Sequence, residues 1–124
     1  MTTSSRFPRT YRVRRRAEFQ QVFAAGRRVQ GKYFTLLMAP SGARAPRLGI
    51  VASRKLGGAV RRNRAKRLIR EVFRHSQPLP GRQDVDVVVI PRRELFEADY
   101  SSLEGDFRSA YRRCLSRLPR HEHA

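Results

Sequence analysis

The stretch RLGIVASRKLGGAVRRNRAKRLIREVFR, residues 47–74, decides how the chain is read. Its opening, Arg47 to Ser53, holds a short apolar, partly β-branched run and reads as a strand. Arg54-Lys55-Leu56-Gly57-Gly58 is a basic turn, and Ala59 to Arg74 has the spacing of an amphipathic helix. Counting about 100° per residue from Val60, the residues Leu68, Val72, Ala65, Ile69 and Phe73 fall between roughly 80° and 220°. On the opposite arc lie Lys66, Arg70, Asn63, Arg74, Arg67 and Arg64. One arc can pack on a sheet; the other is a rail of cations with one amide. Like charges at i, i+4 destabilise a helix by a few tenths of a kcal/mol per pair, about the amount by which opposite charges stabilise it. A line of phosphates would offset that cost, although a solvated basic face has the same pattern. Asn63, in the first turn, can offer side-chain or backbone N–H to a phosphate or a base edge.

Working outward, Pro78 to Gly81 is a turn, and Asp84 to Ile90 is a strand closed by Pro91. Leu103, Phe107, Ala110, Tyr111, Cys114, Leu115 and Leu118 form one helical stripe, with Ser101 and Glu104 at capping-box spacing. Towards the N-terminus, Arg14 to Phe23 reads as a short helix stopped by Gly26. Val29 to Met38 reads as a strand interrupted near Gly31, followed by a Pro/Gly/Ser loop over Pro40 to Pro46. The predicted order is αβββαβα, helices packed on a small mixed sheet, in one domain over residues 11–118. Residues 1–10 read as a flexible basic arm and 119–124 as a flexible tail.

The chain has 124 residues, 28 Lys+Arg against 10 Asp+Glu, and a net charge of +18. Residues 1–74 contain 20 of the basic residues but only Glu18 and Glu71, whereas residues 75–124 are neutral. A body with that charge segregation calls for a polyanionic partner. Arg supplies 25 of the cations, which suits bidentate phosphate contact and stacking on bases. The longest apolar runs, Phe34 to Ala39 and Val87 to Ile90, fall far short of the ~20 residues of a membrane span. No secretory signal is visible, so a cytoplasmic location without membrane association is expected. Cys114 is the only cysteine, which excludes an internal disulfide and a cysteine-only metal site.

Catalytic constellations are poor. Two-metal phosphodiester chemistry needs clustered carboxylates. Asp84 and Asp86 share a strand face but read as solvent-facing; His75 is isolated and His121 and His123 sit in the tail, so no metal site is expected. Phe19 and Phe23, at i, i+4 among Arg15, Arg16, Arg27 and Arg28, can stack unpaired bases or serve as core. Tyr33 and Phe34 point to opposite strand faces, so one is core and the other is free to face a ligand. On its own residues the chain binds RNA or DNA better than it cuts it.

Residues 47–74, with the block Arg62-Asn63-Arg64…Lys66-Arg67-Leu68-Ile69-Arg70-Glu71, closely resemble the protein subunit of bacterial ribonuclease P. The likeness extends through Glu18 to Phe23, Tyr33-Phe34 and the strand Asp86 to Arg93, covering roughly residues 12–118. The resemblance implies an α/β sandwich with a left-handed βαβ crossover, similar to ribosomal protein S5 domain 2-like folds. It also implies an auxiliary subunit, not itself catalytic, of an RNA-catalysed endoribonuclease that removes the 5′ leader of precursor tRNA. The expected partners are the catalytic RNA, at one protein per RNA, and precursor tRNA, with Mg²⁺ held mainly by the RNA. Such a subunit assists at physiological ionic strength and broadens substrate specificity. By position, Arg62, Asn63, Arg64, Lys66, Arg67, Arg70 and Arg74 would contact the catalytic RNA. Phe19, Phe23, Phe34, Arg54, Lys55, Arg92 and Arg93 would line the leader cleft. Leu37 departs from the aromatic residue some relatives carry nearby. The competing reading is an RNA-binding protein of ribosomal type; a stand-alone metal-dependent nuclease is a third class.

Overall fold

A computed structural model describes residues 12–13 and 15–119. The predicted arm, residues 1–10, and nearly all of the predicted tail, residues 119–124, lie outside them. The order is α1 (Arg16–Ala25), β1 (Arg27–Gln30), β2 (Phe34–Pro40), β3 (Arg47–Ile50), α2 (Ala59–His75), β4 (Val85–Pro91) and α3 (Tyr100–Arg117). Short 3-10 turns at Arg54–Leu56 and Arg93–Glu97 precede α2 and α3. This is the αβββαβα order read from the sequence. Where one interrupted strand was expected over Val29 to Met38, the chain instead turns back at residues 31–33. β1 and β2 pair antiparallel as a hairpin, Val29 opposite Leu36.

The four strands form one mixed sheet in the order β1-β2-β4-β3. β2 and β4 are antiparallel, and β3 runs parallel to β4, reached through α2 as crossover. Both central strands are buried along nearly their whole length, because helices cover both faces of the sheet. Phe34, Leu36, Met38, Leu48, Val85, Val87 and Val89 pack against α2 and α3. From the helices come Ile69, Val72, Phe73, Leu103, Phe107, Tyr111 and Cys114. Alternate residues face the other way, where Leu37, Ala39 and Val88 pack against Val22 and Phe19 of α1. The molecule is therefore three layers, α2 and α3, sheet, then α1. The period-2 alternation of a strand, with both faces covered, makes the two cores from one set of apolar runs.

Asp86 lies on the α1 face, and the expectation that Asp84 and Asp86 face solvent is corrected. Asp86 is buried and takes two hydrogen bonds from Arg47, Nε to Oδ1 and Nη2 to Oδ2, both 2.7 Å. Arg47 Nη1 also reaches Glu18 Oε2 at 3.1 Å, and Glu18 Oε1 accepts from the Arg15 N–H at 3.0 Å. One guanidinium thus ties the first turn of α1 to the β3–β4 pair. Asp84 precedes β4 and is half-buried against Arg82, at 2.9 and 2.7 Å. Gly49 completes the α1 seat: a Cβ there would come within 2.8 Å of the Phe19 ring.

The cap of α3 also differs from its sequence reading. Asp99, not Ser101, is the N-cap, and its carboxylate accepts from the Ser102 N–H at 2.8 Å. Asp106 takes the Lys32 and Tyr33 N–H groups at 3.0 and 2.9 Å, which anchors the β1–β2 turn on α3.

Two predictions follow from this packing. Asp86→Ala strips Arg47 of its two shortest hydrogen bonds and leaves it only Glu18, and is expected to cost about 2–3 kcal/mol in urea unfolding. Asp86→Leu with Arg47→Met should cost less than the sum of the single changes, and strict additivity would show that the pair does not act as a unit. Cys114 is fully buried, and burial pushes its thiol up to about 11. A disulfide-exchange reagent at mildly alkaline pH should label it only on unfolding, so rapid labelling of native protein would contradict the packing.

Candidate nucleic-acid interface

The apolar arc of α2 buries Ala65, Ile69, Val72 and Phe73, which forces the cation arc outward. Asn63, Arg64, Arg67, Arg70 and Arg74 are exposed, while Arg62 and Lys66 are half-buried. Among the described residues, no carboxylate lies within ion-pair distance of Arg62, Arg64, Lys66, Arg67 or Arg70. Arg74 differs: its Nη2 holds Glu71 at 3.0 Å, so part of its charge is neutralised within the helix. Val60, 84% exposed, places an aliphatic group within the cation arc, between Arg67 and Arg64.

The seven residues assigned to a leader cleft divide. Phe23 is 46% exposed on α1 and available for stacking. Phe19 is half-buried, one edge in the second core and the other on a pocket of about 280 Å³. Arg12, Leu48, Gly49, Lys66 and Arg70 complete that pocket. It therefore brings Phe19 beside two cations that the resemblance assigns to a different RNA. Desolvation, and then the nearby charge of Arg12, lower the Arg70 pKa. Lys55 and Arg93 line a second, open groove of about 520 Å³ with Gly57, Arg61, Glu94 and Glu97. Arg54 is exposed on the turn beside them.

One assignment is corrected. Phe34 is fully buried and stands edge-on to Phe107 at 6.5 Å, on the α3 side of the sheet, so it cannot line a cleft on the α1 face. Arg92 is half-buried: its Nη1 donates to the Gly31 carbonyl at 2.9 Å, bracing the β1–β2 turn, and its Nε lies 4.0 Å from Glu94. Leu37 does lie on the α1 face but is buried against Val22, so that position offers no stacking surface.

Sequence reasoning missed three contributors. Ile90, on the α1 face with Val88, was signalled by the alternation of β4. Val60 was visible on the helical wheel within the cation arc. Arg12 had no local signal; the Val13 N–H donates to Leu48 O at 2.9 Å, and that pairing along the β3 edge carries Arg12 to the pocket. No group of three or more His, Cys, Asp or Glu side chains that could hold a metal ion occurs among the described residues. Nor is any described helix long and apolar enough to cross a membrane.

The two phenylalanines give a direct comparison. Phe34→Ala should cost about 3–5 kcal/mol of stability as a core truncation. Phe23→Ala should leave stability within about 0.5 kcal/mol, yet lower affinity for single-stranded RNA by about 1–3 kcal/mol per stacked base. Paired denaturant and RNA-binding titrations check both, and a stability loss at Phe23 matching that at Phe34 would return Phe23 to the core.

Comparison with known proteins agrees with this geometry. Residues 7–115 match the family model described as Ribonuclease P. The ribonuclease P protein component of Thermotoga petrophila is 40% identical over 116 residues, spanning 94% of this chain and 96% of the relative. That of Desulfovibrio desulfuricans is 39% identical over 118 residues, 90% and 88% of the two chains. The solved RNase P protein of Thermotoga maritima superposes with a TM-score of 0.70 at 36% identity, covering 88% of this chain and 98% of that one. The Staphylococcus aureus RNase P protein gives 0.71 at 30% identity, covering 82% and 93%. With a family match over most of its length, relatives near 40% identity and the same fold, the chain belongs to the ribonuclease P protein family.

Proposed function

We propose that this chain is the protein subunit of a ribonuclease P holoenzyme. In this reading it binds the catalytic RNA through the cation arc of α2, and the single-stranded 5′ leader of precursor tRNA through the surface between α1 and the basic turn. The observation that carries the reading is the separation of charge: Glu18, Glu71, Asp84 and Asp86 are paired with guanidiniums of the fold, and among the described residues no carboxylate pairs with Arg64, Lys66, Arg67 or Arg70 of the α2 cation arc. These four cations on one face, with Arg62 beside them, neutralise phosphates and release counterions, so affinity falls steeply with salt. Phe23 adds sequence-tolerant stacking, and Lys55, Arg54 and Arg93 track the leader backbone.

The division of labour follows from chemistry. Glu18 and Asp86 are held by Arg47, Glu71 by Arg74, and Asp84 by Arg82. These donors do not fit a protein-held divalent ion, and no hydrolytic step is derived through them. The Mg²⁺ that phosphodiester hydrolysis needs is supplied with the RNA, and the protein lowers the Mg²⁺ demand by screening phosphate repulsion. The chain acts in a 1:1 complex in the cytoplasm.

Reconstitution tests this directly. Wild-type protein should accelerate precursor-tRNA cleavage by the cognate RNA at low Mg²⁺; no acceleration, or cleavage by RNA-free protein, overturns the reading. Arg64→Ala should weaken assembly with the catalytic RNA and reduce the slope of log affinity against log salt by about 1. Phe23→Ala should weaken precursor binding while sparing mature tRNA, which has no leader. Equal losses for both substrates would remove the leader assignment, and co-purification with ribosomal particles would favour the ribosomal class.

A further inference from the structure

Arg61 is a cation on the wrong side of its helix. Counted from Val60 it lies at about 100°, between Leu68 and Val72 on the packing arc and away from the RNA-facing rail. Its side chain runs back over the basic turn. Nε donates to the Leu56 carbonyl at 2.8 Å, and the guanidinium lies over the Phe96 ring at 4.2 Å. Gly57 between them has φ +125°, and a Cβ there would come within 2.7 Å of Arg61 Cδ. The turn leaves space for this side chain and only glycine tolerates the backbone. Arg61 therefore joins three segments: the Arg54–Leu56 turn, the first turn of α2, and the Arg93–Glu97 turn that carries Phe96. Lys55 and Arg93, from the two outer segments, line one groove with it.

We propose that Arg61 is a positioning residue. It holds Lys55 and Arg93 side by side against the first turn of α2 and so sets the geometry of the leader-binding surface, contributing no phosphate contact of its own. The inference rests on the leader reading above. A lysine cannot replace it, because an ammonium has no planar face to stack on Phe96 while donating edgewise to a carbonyl.

The experiment uses the reconstituted holoenzyme and compares precursor with mature tRNA affinity across a salt series. Arg61→Ala and Arg61→Lys should each lower the precursor-to-mature ratio about fivefold, with the salt slope unchanged. Adding Arg61→Ala to a Lys55→Ala/Arg93→Ala background should change the ratio no further, since Arg61 acts through those two side chains. In RNA-free protein, Arg61→Ala should speed hydrogen exchange of the Gly57 amide, which donates to Arg54 O at 3.0 Å. Phe96→Leu, which keeps an apolar side chain, should reproduce the binding effect if Arg61→Ala folds poorly. The inference is overturned if Arg61→Lys retains the wild-type ratio, if Arg61→Ala lowers the salt slope by about 1, or if Gly57 exchange is unchanged. A wild-type protein with no precursor preference removes the leader reading and the inference with it. The Gly57 exchange rate distinguishes that failure from failure of the Arg61 contact itself.

Discussion

Arg47 between Asp86 and Glu18 is the contact on which the interface depends. A buried carboxylate on the α1 face of a central strand is costly unless it is paired and hydrogen-bonded. The parallel register of β3 and β4 puts Arg47 beside Asp86, so two short hydrogen bonds form without distortion. They raise the Arg47 pKa against the opposing effect of its partial burial, and the guanidinium stays charged at any pH the protein meets. Its remaining amino group reaches Glu18, whose other oxygen caps α1. The angle of α1 on the sheet, the seat of Phe19 over Gly49 and the outward display of Phe23 all follow from that tie.

The same arrangement explains why so basic a chain presents its charge usefully. Acids are scarce in the basic half, and Glu18, Glu71, Asp84 and Asp86 are spent on guanidiniums within the fold. Arg64, Lys66, Arg67 and Arg70, which have no such partners among the described residues, share one arc, fixed by the burial of Ile69, Val72 and Phe73 behind them. Self-repulsion along that arc is a local cost to the helix, offset by packing on the sheet and, in the proposed complex, by phosphate. The pocket joins Phe19 to Lys66 and Arg70. In the proposed complex that would set the leader surface and the catalytic-RNA surface edge to edge.

Legibility differed by element. The α2 wheel and the α3 stripe were plain because helical period survives any tertiary context. The β1–β2 hairpin was not, since Gly31, Lys32 and Tyr33 carry no strong turn dipeptide and the turn is held by Asp106 from a helix some seventy residues away. Phe34 shows the limit of analogy. Its neighbourhood in the sequence resembles a ligand-facing strand, but which face of β2 looks at α1 is a matter of register, and register put Phe34 against Phe107. Arg92 shows the same for charge: a cation beside a proposed site also braces a turn formed by a segment some sixty residues away.

Periodicity, composition and the ordered block around Asn63 were enough, without coordinates, to establish an αβββαβα domain, a polyanionic partner and the family. These are local properties, set by spacing along the chain and by the identity of side chains. Tertiary structure alone decided which aromatic ring faces outward, which carboxylates are spent in ion pairs, and that Arg61 meets the Leu56 carbonyl and the Phe96 ring. Each of those depends on which strand face a helix covers and on side chains meeting from distant segments. Long-range pairing of that kind has no period for a sequence to display.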